Sequence, residues 1–254
     1  MRILLTNDDG IGAPGLHVLE RIARSLSDDI VIVAPAEEQS GMGRSLTLTR
    51  PVRMRRHDDR RYSVTGTPTD AVMMALALVM KDAPPDLILS GVNRGANLAE
   101  DVSYSGTVAA AMEGALAGIP SIALSQRYAQ RGMGDAVSFD AAEAWGERTI
   151  RPLLAASWTP RTLINVNFPP IAADAVRGIR VVGQGLREYG RLKVEAGTDP
   201  RGYDYHWLSL GGATGAPAAA TDLEAVADGY VSVTPLHLDL THRGSMATLA
   251  ALYA

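Results

Sequence analysis

Short apolar runs alternate with amphipathic segments through the first half of the chain, and this alternation restricts the fold more than any other feature of the sequence. Each run ends in turn-forming residues, as expected for a short buried β-strand. The segments between the runs carry apolar residues on one helical face. This order predicts an α/β fold with a mostly parallel sheet and helices on both faces. The predicted strands are residues 3–5, 30–33, 87–89 and 121–124, the predicted helices are residues 15–27, 67–81 and 105–117, and residues 52–65 suggest a β-hairpin.

The pattern is less regular after about residue 125. A helix is predicted for residues 138–156 and a strand for residues 162–166. Residues 178–233 have β-like signals without a clear order, and a Gly- and Ala-rich loop at 211–220 interrupts them. This stretch could be a protruding arm or a hairpin used in oligomerisation.

These patterns predict one domain over residues 1–254. Residues 1–130 form its core, and residues 131–254 complete that core. The second part also contributes an irregular, β-rich extension at roughly 178–240.

The composition argues against several classes of protein. The chain has 28 Asp and Glu against 24 Lys and Arg, so no general affinity for nucleic acid is expected. Its one basic cluster, Arg50 to Arg61, is interrupted by Asp58 and Asp59 and is better explained as a solvated strand pair. The absence of cysteine excludes disulfides and cysteine-ligated zinc. Since we find neither a secretory signal nor an apolar run of roughly 18 residues, we expect a cytoplasmic protein without a membrane partner.

Oxygen-bearing side chains follow three of the predicted strands, at the edge where open parallel sheets bind ligands. Asp8 and Asp9 follow the first strand, Ser40 lies in the loop after the second, and Asn93 follows the strand at 87–89. Two carboxylates, a hydroxyl and an amide carbonyl suit Mg²⁺, Mn²⁺ or Ca²⁺ better than zinc or copper.

The pair Asp8–Asp9 by itself allows two interpretations. Asp followed by Gly10 is also typical of a turn. Adjacent carboxylates at a strand end repel each other, however, and a cation is the simplest remedy. Ser40 and Asn93 are ordinary loop residues when taken singly. Their position at the same edge of the predicted sheet as the two carboxylates is what favours a metal site.

The residues Ser105, Gly106 and Thr107 open a predicted helix. An ordinary helix cap would explain Ser105 on its own. The free N–H groups at such a helix start can also bind an anion, and glycine allows a phosphate to approach closely. An anion site beside a divalent metal indicates phosphate chemistry, with metal-assisted hydrolysis by an activated water.

Motifs of competing enzyme classes are missing from the sequence. The chain has no Gly-x-x-x-x-Gly-Lys-Ser/Thr loop, no Gly-x-Gly-x-x-Gly after the first strand, no Asp-x-Asp nucleophile there and no Gly-x-Ser-x-Gly elbow. His237 and His242 flank Asp239 and are the only histidines considered as acid–base candidates, although a structural role is the simpler explanation.

Read together, the polar motifs resemble those of the SurE family of survival nucleotidases, in order and over nearly the whole chain. The segments that carry the resemblance are Leu5-Thr6-Asn7-Asp8-Asp9-Gly10, Gln39-Ser40-Gly41, Gly66-Thr67-Pro68-Thr69-Asp70, Ser90-Gly91-Val92-Asn93-Arg94-Gly95-Ala96-Asn97, Tyr104-Ser105-Gly106-Thr107, Asn165-Val166-Asn167, Thr221-Asp222 and Ser232-Val233-Thr234-Pro235-Leu236.

The resemblance implies a 5′-nucleotidase that hydrolyses nucleoside 5′- and 3′-monophosphates, with a possible activity on short polyphosphate. It also implies a Rossmann-like core and a homodimer or homotetramer formed through the C-terminal extension. The implied ligands of one divalent cation, most simply Mg²⁺ or Mn²⁺, are Asp8, Asp9, Ser40 and Asn93. The implied phosphate-binding residues are Asn97, Ser105, Gly106 and Thr107, and the implied catalytic residues are Asp8, Asp9, Asn93 and Ser105.

Two other functions remain open on the sequence. Receiver-type sensing modules also place paired acids after the first strand, but they need an Asp and a Lys where this chain has Asn93 and Ser125-Gln126. A nucleotide-binding scaffold without turnover is the second alternative. Phosphate release separates both from an enzyme.

Overall fold

The computed structural model describes residues 1–129, 138–187, 192–210 and 218–254. These residues form a nine-stranded sheet and a separate two-stranded sheet. The strands are β1 (Arg2–Thr6), β2 (Asp29–Pro35), β3 (Met54–Arg56), β4 (Arg61–Val64), β5 (Leu87–Arg94), β6 (Ser121–Gln126), β7 (Thr162–Phe168), β8 (Ile179–Val181), β9 (Leu192–Thr198), β10 (Asp204–Leu210) and β11 (Val231–His237). The helices are α1 (Pro14–Arg24), α2 (Pro68–Met74), α3 (Gly106–Leu116), α4 (Asp140–Leu154), α5 (Asp222–Ala227) and α6 (Arg243–Ala250).

The large sheet has the order β3-β4-β2-β1-β5-β6-β7-β11-β8 and is mostly parallel. The strands from β4 to β7 run parallel to their neighbours, β3 is antiparallel to β4, and β11 is antiparallel to β7. This confirms the predicted α/β fold and the predicted hairpin. The carboxyl ends of β1, β2, β5, β6 and β7 therefore meet at one edge, as the site hypothesis requires.

Apolar side chains on both faces explain why the central strands are buried. Ile3 and Leu5 of β1 pack with α1 and α4 on one face. Leu4, between them, packs with α2 on the other face. Because successive side chains of a strand point to opposite faces, a continuous apolar run such as this one needs helices on both sides.

The helix predicted for residues 67–81 begins as expected but ends differently. A capping box starts α2: the Thr67 N–H donates to Asp70 Oδ2 at 2.8 Å, and the Asp70 N–H donates to Thr67 Oγ1 at 3.1 Å. A single π-helical turn, Ala75–Val79, then ends the helix. The apolar periodicity does not reveal this change, because a π turn keeps residues 75–79 helical.

The residues between the predicted strand at 87–89 and the predicted helix at 105–117 have more regular structure than the sequence predicted. β5 continues to Arg94, and Ala99–Ser103 forms a 3₁₀ turn. The ladder with β6 shifts register between Ser90 and Asn93 before it resumes. Gly91 lies in that shift at φ 133°, and a side chain there would overlap the carbonyl of Leu124. Gly91 therefore allows a close approach of the strands β5 and β6.

The C-terminal region contains more of the core than the sequence suggested. Within the stretch predicted as an irregular extension, β8 and β11 pair in the large sheet, and α5 lies between the hairpin and β11. Among the described residues, only the antiparallel pair β9–β10 forms a sheet of its own. Residues 211–217 of the predicted Gly- and Ala-rich loop lie outside the described residues.

Candidate active site

The Asp8 carboxylate lies at the carboxyl end of β1, against the first turn of α3. Asp8 is only 4% exposed, and the Thr107 hydroxyl donates a hydrogen bond to its Oδ1. A β-carbon placed on Gly106 would lie 2.8 Å from Asp8 Cβ and 3.0 Å from Asp8 Oδ2. The start of the predicted phosphate-binding helix therefore touches the first predicted metal ligand.

The Asp8 carboxyl group is buried without a neutralising positive charge from the described residues, and this raises its pKa. Burial raises the pKa of Asp8 from its ordinary 3.8 to about 7, and repulsion from the Asp9 carboxylate adds to this increase. Hydrogen bonds from Thr107 act in the opposite direction but are weaker. Within the described ranges, no Lys or Arg forms an ion pair with Asp8. A cation bound here would relieve both causes of the raised pKa.

The second carboxylate is held by the end of β5. The Arg94 N–H donates to Asp9 Oδ2 at 3.0 Å. Burial raises the pKa of Asp9, and this hydrogen bond and the positive charge of Arg94 partly offset that effect. The Arg94 guanidinium also lies 3.4 Å from Glu38, which accepts a 2.8 Å hydrogen bond from the Ser40 hydroxyl. Arg94 and Glu38 thus connect Asp9 with the loop that carries Ser40.

The loop after β2 is attached to β1 as well. The backbone N–H of Gln39 donates to the carbonyl of Asp8 at 2.8 Å. Ser40 follows directly and is exposed. The structure therefore places Ser40 one residue after a backbone contact with Asp8, and its side chain is the most exposed of the predicted ligands.

The hydroxyl groups at the start of α3 both form hydrogen bonds. Ser105 is the N-cap, and its Oγ accepts a 3.1 Å hydrogen bond from the Val108 N–H. This confirms the cap interpretation and leaves the Ser105 hydroxyl proton available to a ligand. Thr107 was predicted to bind phosphate, and in the structure its hydroxyl is engaged by Asp8.

Asn93 and Asn97 are connected through one serine of β6. Asn93 pairs with Ser125 across the strands, and its Nδ2 donates to the Gly95 carbonyl at 2.9 Å. No described residue donates to Asn93 Oδ1, so that oxygen can serve as a ligand. Asn97 donates from Nδ2 to Ser125 Oγ at 2.8 Å, and its backbone N–H donates to Asn167 Oδ1 at 2.8 Å.

The donors at this edge fit a hard divalent cation. In the described part of the chain, no three His, Cys, Asp or Glu side chains cluster as metal ligands. A site here must therefore combine the two carboxylates with neutral oxygens, as in the predicted set. Asn7 supplies a further sign of it, because its Oδ1 is buried without a hydrogen-bond partner while its Nδ2 donates to the Gly10 carbonyl at 2.8 Å. An all-oxygen set with an orphaned amide oxygen suits Mg²⁺ or Mn²⁺.

A cavity of about 160 Å³ lies beside this edge, between the loop after β2 and the end of β4. Arg50 lines it, and no described residue forms an ion pair or hydrogen bond with the Arg50 guanidinium. The volume is below the roughly 300 Å³ of an ordinary small-molecule pocket, so it suits one part of a ligand. Elsewhere in the basic cluster, ion pairs with acidic neighbours involve Arg56, Arg60 and Arg61. They support the predicted solvated strand pair.

The two histidine candidates do not join this group. His237 pairs with Thr162, the first residue of β7, and so lies at the opposite edge of the sheet. The His242 ring nitrogen Nδ1 is 2.6 Å from Ser245 Oγ at the start of α6. Neither histidine has a hydrogen bond to a residue of the candidate site.

The motifs that form this site belong to a known family. The family model described as "Survival protein SurE" matches residues 3–191. The chain belongs to the SurE family. This confirms the resemblance found in the sequence.

Individual SurE proteins are similar to this chain over their full lengths. The 5′-nucleotidase SurE of Rhizorhabdus wittichii is 69% identical over 253 residues, which cover 100% of both chains. The 5′-nucleotidase SurE of Erythrobacter litoralis is 59% identical over 249 residues, or 98% of each chain. The crystal structure of the SurE protein from Aquifex aeolicus has a TM-score of 0.84 at 39% identity and covers 100% of both chains.

Three residues that lie at or contact the candidate site, Asn7, Glu38 and Arg94, were not among those predicted from the sequence. Asn7 and Arg94 stand next to predicted ligands, so their position was the only signal available. Glu38 lies two residues before Ser40, but its contact with Arg94 joins residues 56 positions apart.

No helix among the described residues is long and apolar enough to cross a membrane.

Proposed function

We propose that this SurE-family chain is a metal-dependent phosphomonoesterase that converts nucleoside 5′- and 3′-monophosphates into nucleoside and phosphate. The observation that carries the proposal is the contact between Asp8 and the first turn of α3. It places a buried, unneutralised carboxylate within 3.0 Å of the β-carbon position of Gly106. A cation held by Asp8 and an anion held by α3 would then be neighbours, as phosphoryl transfer requires. The relatives named 5′-nucleotidase support the choice of substrate.

Asp8, Asp9, Ser40 and Asn93 would hold one Mg²⁺ or Mn²⁺. When bound, such a cation supplies a Lewis acid for a phosphoryl oxygen and lowers the pKa of a water nucleophile. The carboxylates supply the negative charge, and Asn93 Oδ1 and Ser40 Oγ supply neutral oxygens. Ser40 can keep its hydrogen bond to Glu38 while it does so, because it donates that bond.

The remaining site residues would bind and orient the phosphate. Ser105 can donate its hydroxyl proton, since its oxygen already accepts from Val108. Gly106 lets the positive end of α3 pack directly against Asp8, so an anion bound by α3 would lie beside the cation. The Thr107 hydroxyl fixes the orientation of Asp8, and its backbone remains in the anion-binding turn. Asn97, fixed by Ser125, would contact the phosphate from the side of β6.

A substrate panel tests this function. We expect phosphate release from nucleoside 5′-monophosphates, and more slowly from 3′-monophosphates, in Mg²⁺ or Mn²⁺ but not in EDTA. Short polyphosphate in the same panel tests the proposed side activity. A colorimetric phosphate assay and a parallel binding titration distinguish an enzyme from a scaffold. Binding without phosphate release in any metal would contradict the proposal and support a non-catalytic nucleotide-binding protein.

We further propose a cytoplasmic homodimer or homotetramer formed through the β9–β10 hairpin. Large apolar side chains remain exposed on this hairpin, including Trp207 at 69% and Leu208 at 70%. An isolated two-stranded sheet is only marginally stable in water, so a partner surface is expected. A second copy of the chain is the occupant that the family resemblance implies.

Replacing residues 192–210 with a short Gly-Ser linker should convert the oligomer into a monomer, because the exposed apolar side chains are removed. The cut must not extend to β11, which pairs with β7 in the large sheet. Light scattering coupled to size exclusion measures the mass. The control is Tyr253→Ser, since Tyr253 is also exposed but lies outside the hairpin. An unchanged mass for the linker variant would show that the hairpin does not form the interface.

A further inference from the structure

Asp222 is a buried carboxylate that joins three separate parts of the chain. Its exposure is 0%, and within the described ranges it has no ion pair. Its Oδ1 accepts hydrogen bonds from the N–H groups of Gly185 and Leu223, each at 2.8 Å. Its Oδ2 accepts one from the N–H of Ala99, also at 2.8 Å and across 123 residues. Oδ1 thus binds the start of α5 and Gly185, whereas Oδ2 binds the loop that follows Asn97.

The loop at 97–101 depends on contacts from outside itself. Ala99 has φ 55°, a left-handed conformation that is unfavourable for a non-glycine residue. The Ala99 N–H donates to Asp222, and the Ala99 carbonyl accepts a 2.9 Å hydrogen bond from Gln184 Nε2. Arg187 Nη1 donates to the Leu98 carbonyl at 3.1 Å. The C-terminal part of the chain therefore holds this loop in an otherwise unfavourable backbone conformation.

Asn97 stands at the beginning of the same loop. Its side chain reaches Ser125, and its backbone is bound by Asn167. Movement of Ala99 would be transmitted to Asn97 through only one intervening residue. We propose that Asp222 is a positioning residue, whose Oδ2 fixes the Ala99 backbone and thereby holds Asn97 at the phosphate. This inference rests on the proposed function, in which Asn97 contacts the phosphate.

The substitution Asp222→Asn tests the proposal, because an amide can keep an oxygen toward Gly185 and Leu223 but then presents N–H₂ to the N–H of Ala99. With adenosine 5′-monophosphate and Mn²⁺, we expect kcat/KM to fall at least about 10-fold, with the same division between KM and kcat as in Asn97→Ala. In the double variant Asp222→Asn/Asn97→Ala, the losses of kcat/KM caused by the two substitutions should not multiply. Residues that act through one another give non-additive effects, whereas independent ones add in free energy. Multiplicative losses would overturn the proposal.

Two further variants separate positioning from stability. Val226→Ala removes buried volume from the same helix, α5, without a hydrogen bond to the loop. It should lower the melting temperature and leave kcat/KM within about twofold at 25 °C. Gln184→Leu removes the second bond to Ala99 from an exposed position. It should give a smaller loss of kcat/KM, and that loss should disappear in the Asn97→Ala background. If Asp222→Asn does not fold, Gln184→Leu still tests whether contacts to Ala99 position Asn97.

The results distinguish this inference from the proposed function. If the wild type releases no phosphate, the proposed function fails. If the wild type is active and both Asp222→Asn and Gln184→Leu retain its kcat/KM, only the positioning role is wrong.

Discussion

Asp8→Asn should lower kcat/KM for a nucleoside monophosphate at least about 1,000-fold while the metal-free protein stays as stable as the wild type or becomes more stable. A thousandfold loss corresponds to roughly 4 kcal/mol of transition-state stabilisation, which is reasonable for removing a charged ligand of a catalytic cation. The amide oxygen can still accept the hydrogen bond from Thr107. The variant therefore loses the charge and keeps the packing.

The stability part of this prediction follows from the raised pKa of Asp8. A folded-state pKa of about 7 against an ordinary 3.8 means that the folded protein holds this proton more tightly than the unfolded chain does. The stabilisation by the protonated form is complete below about pH 4 and is lost as the pH rises toward 7. In EDTA, the free energy of unfolding of the wild type minus that of Asp8→Asn should therefore fall as the pH rises from about 4 to 7. The slope should be at most about 1.4 kcal/mol per pH unit.

Chemical denaturation at several pH values in EDTA, together with phosphate release in Mn²⁺, measures both parts. Asp9→Asn should also abolish turnover. Asp58→Asn is the matched control, since Asp58 is an exposed carboxylate in the turn between β3 and β4 and should change neither quantity. Full activity in Asp8→Asn would place the metal site elsewhere, and a pH-independent stability difference would contradict the assigned pKa.

Gly106→Ala should lower kcat about 100-fold, because the added methyl group would enter the contact between α3 and the carboxylate of Asp8. Its position lies 2.8 Å from Asp8 Cβ and 3.0 Å from Pro68 Cγ, so either α3 or β1 must move. Displacements of about 1 Å in an active site commonly cost about 100-fold in rate. The same overlap should also lower the free energy of unfolding by about 1–3 kcal/mol.

The variant Gly114→Ala provides the control, since it lies on the same helix two turns away. A methyl group there would overlap Ser121 and would lie 2.6 Å from Ile88 Cδ1. It should therefore destabilise the protein by a similar amount and retain most of kcat at temperatures where the protein is folded. Steady-state kinetics and thermal melts on both variants separate the effects. Equal losses of kcat would mean that Gly106 matters only for stability.

Much of the fold was predictable because its signals are local. The apolar run at Ile3, Leu4 and Leu5 requires helices on both faces, and the capping box at Thr67 and Asp70 is readable within four residues. The shared edge of Asp8 and Asn93 followed from strand direction alone. These inferences needed no knowledge of which distant residues touch.

The rest depends on contacts between residues far apart in sequence. The bond from Arg94 to Asp9 spans 85 residues, and that from Thr107 to Asp8 spans 99. Thr107 could be placed near a phosphate but not on the Asp8 carboxylate, because no local pattern reports that pairing. For the same reason β11 was expected in an irregular extension, although it pairs with β7 inside the sheet.

The central claim, that Asp8 and Asp9 hold a divalent cation used in phosphomonoester hydrolysis, is tested most directly by metal add-back. Chelator-treated wild type and Asp8→Asn are assayed side by side for phosphate release from adenosine 5′-monophosphate as Mn²⁺ is titrated in. We predict no activity without metal, saturable recovery in the wild type, and no recovery in Asp8→Asn. Phosphate release by the metal-free wild type, or equal recovery in the variant, would contradict the claim.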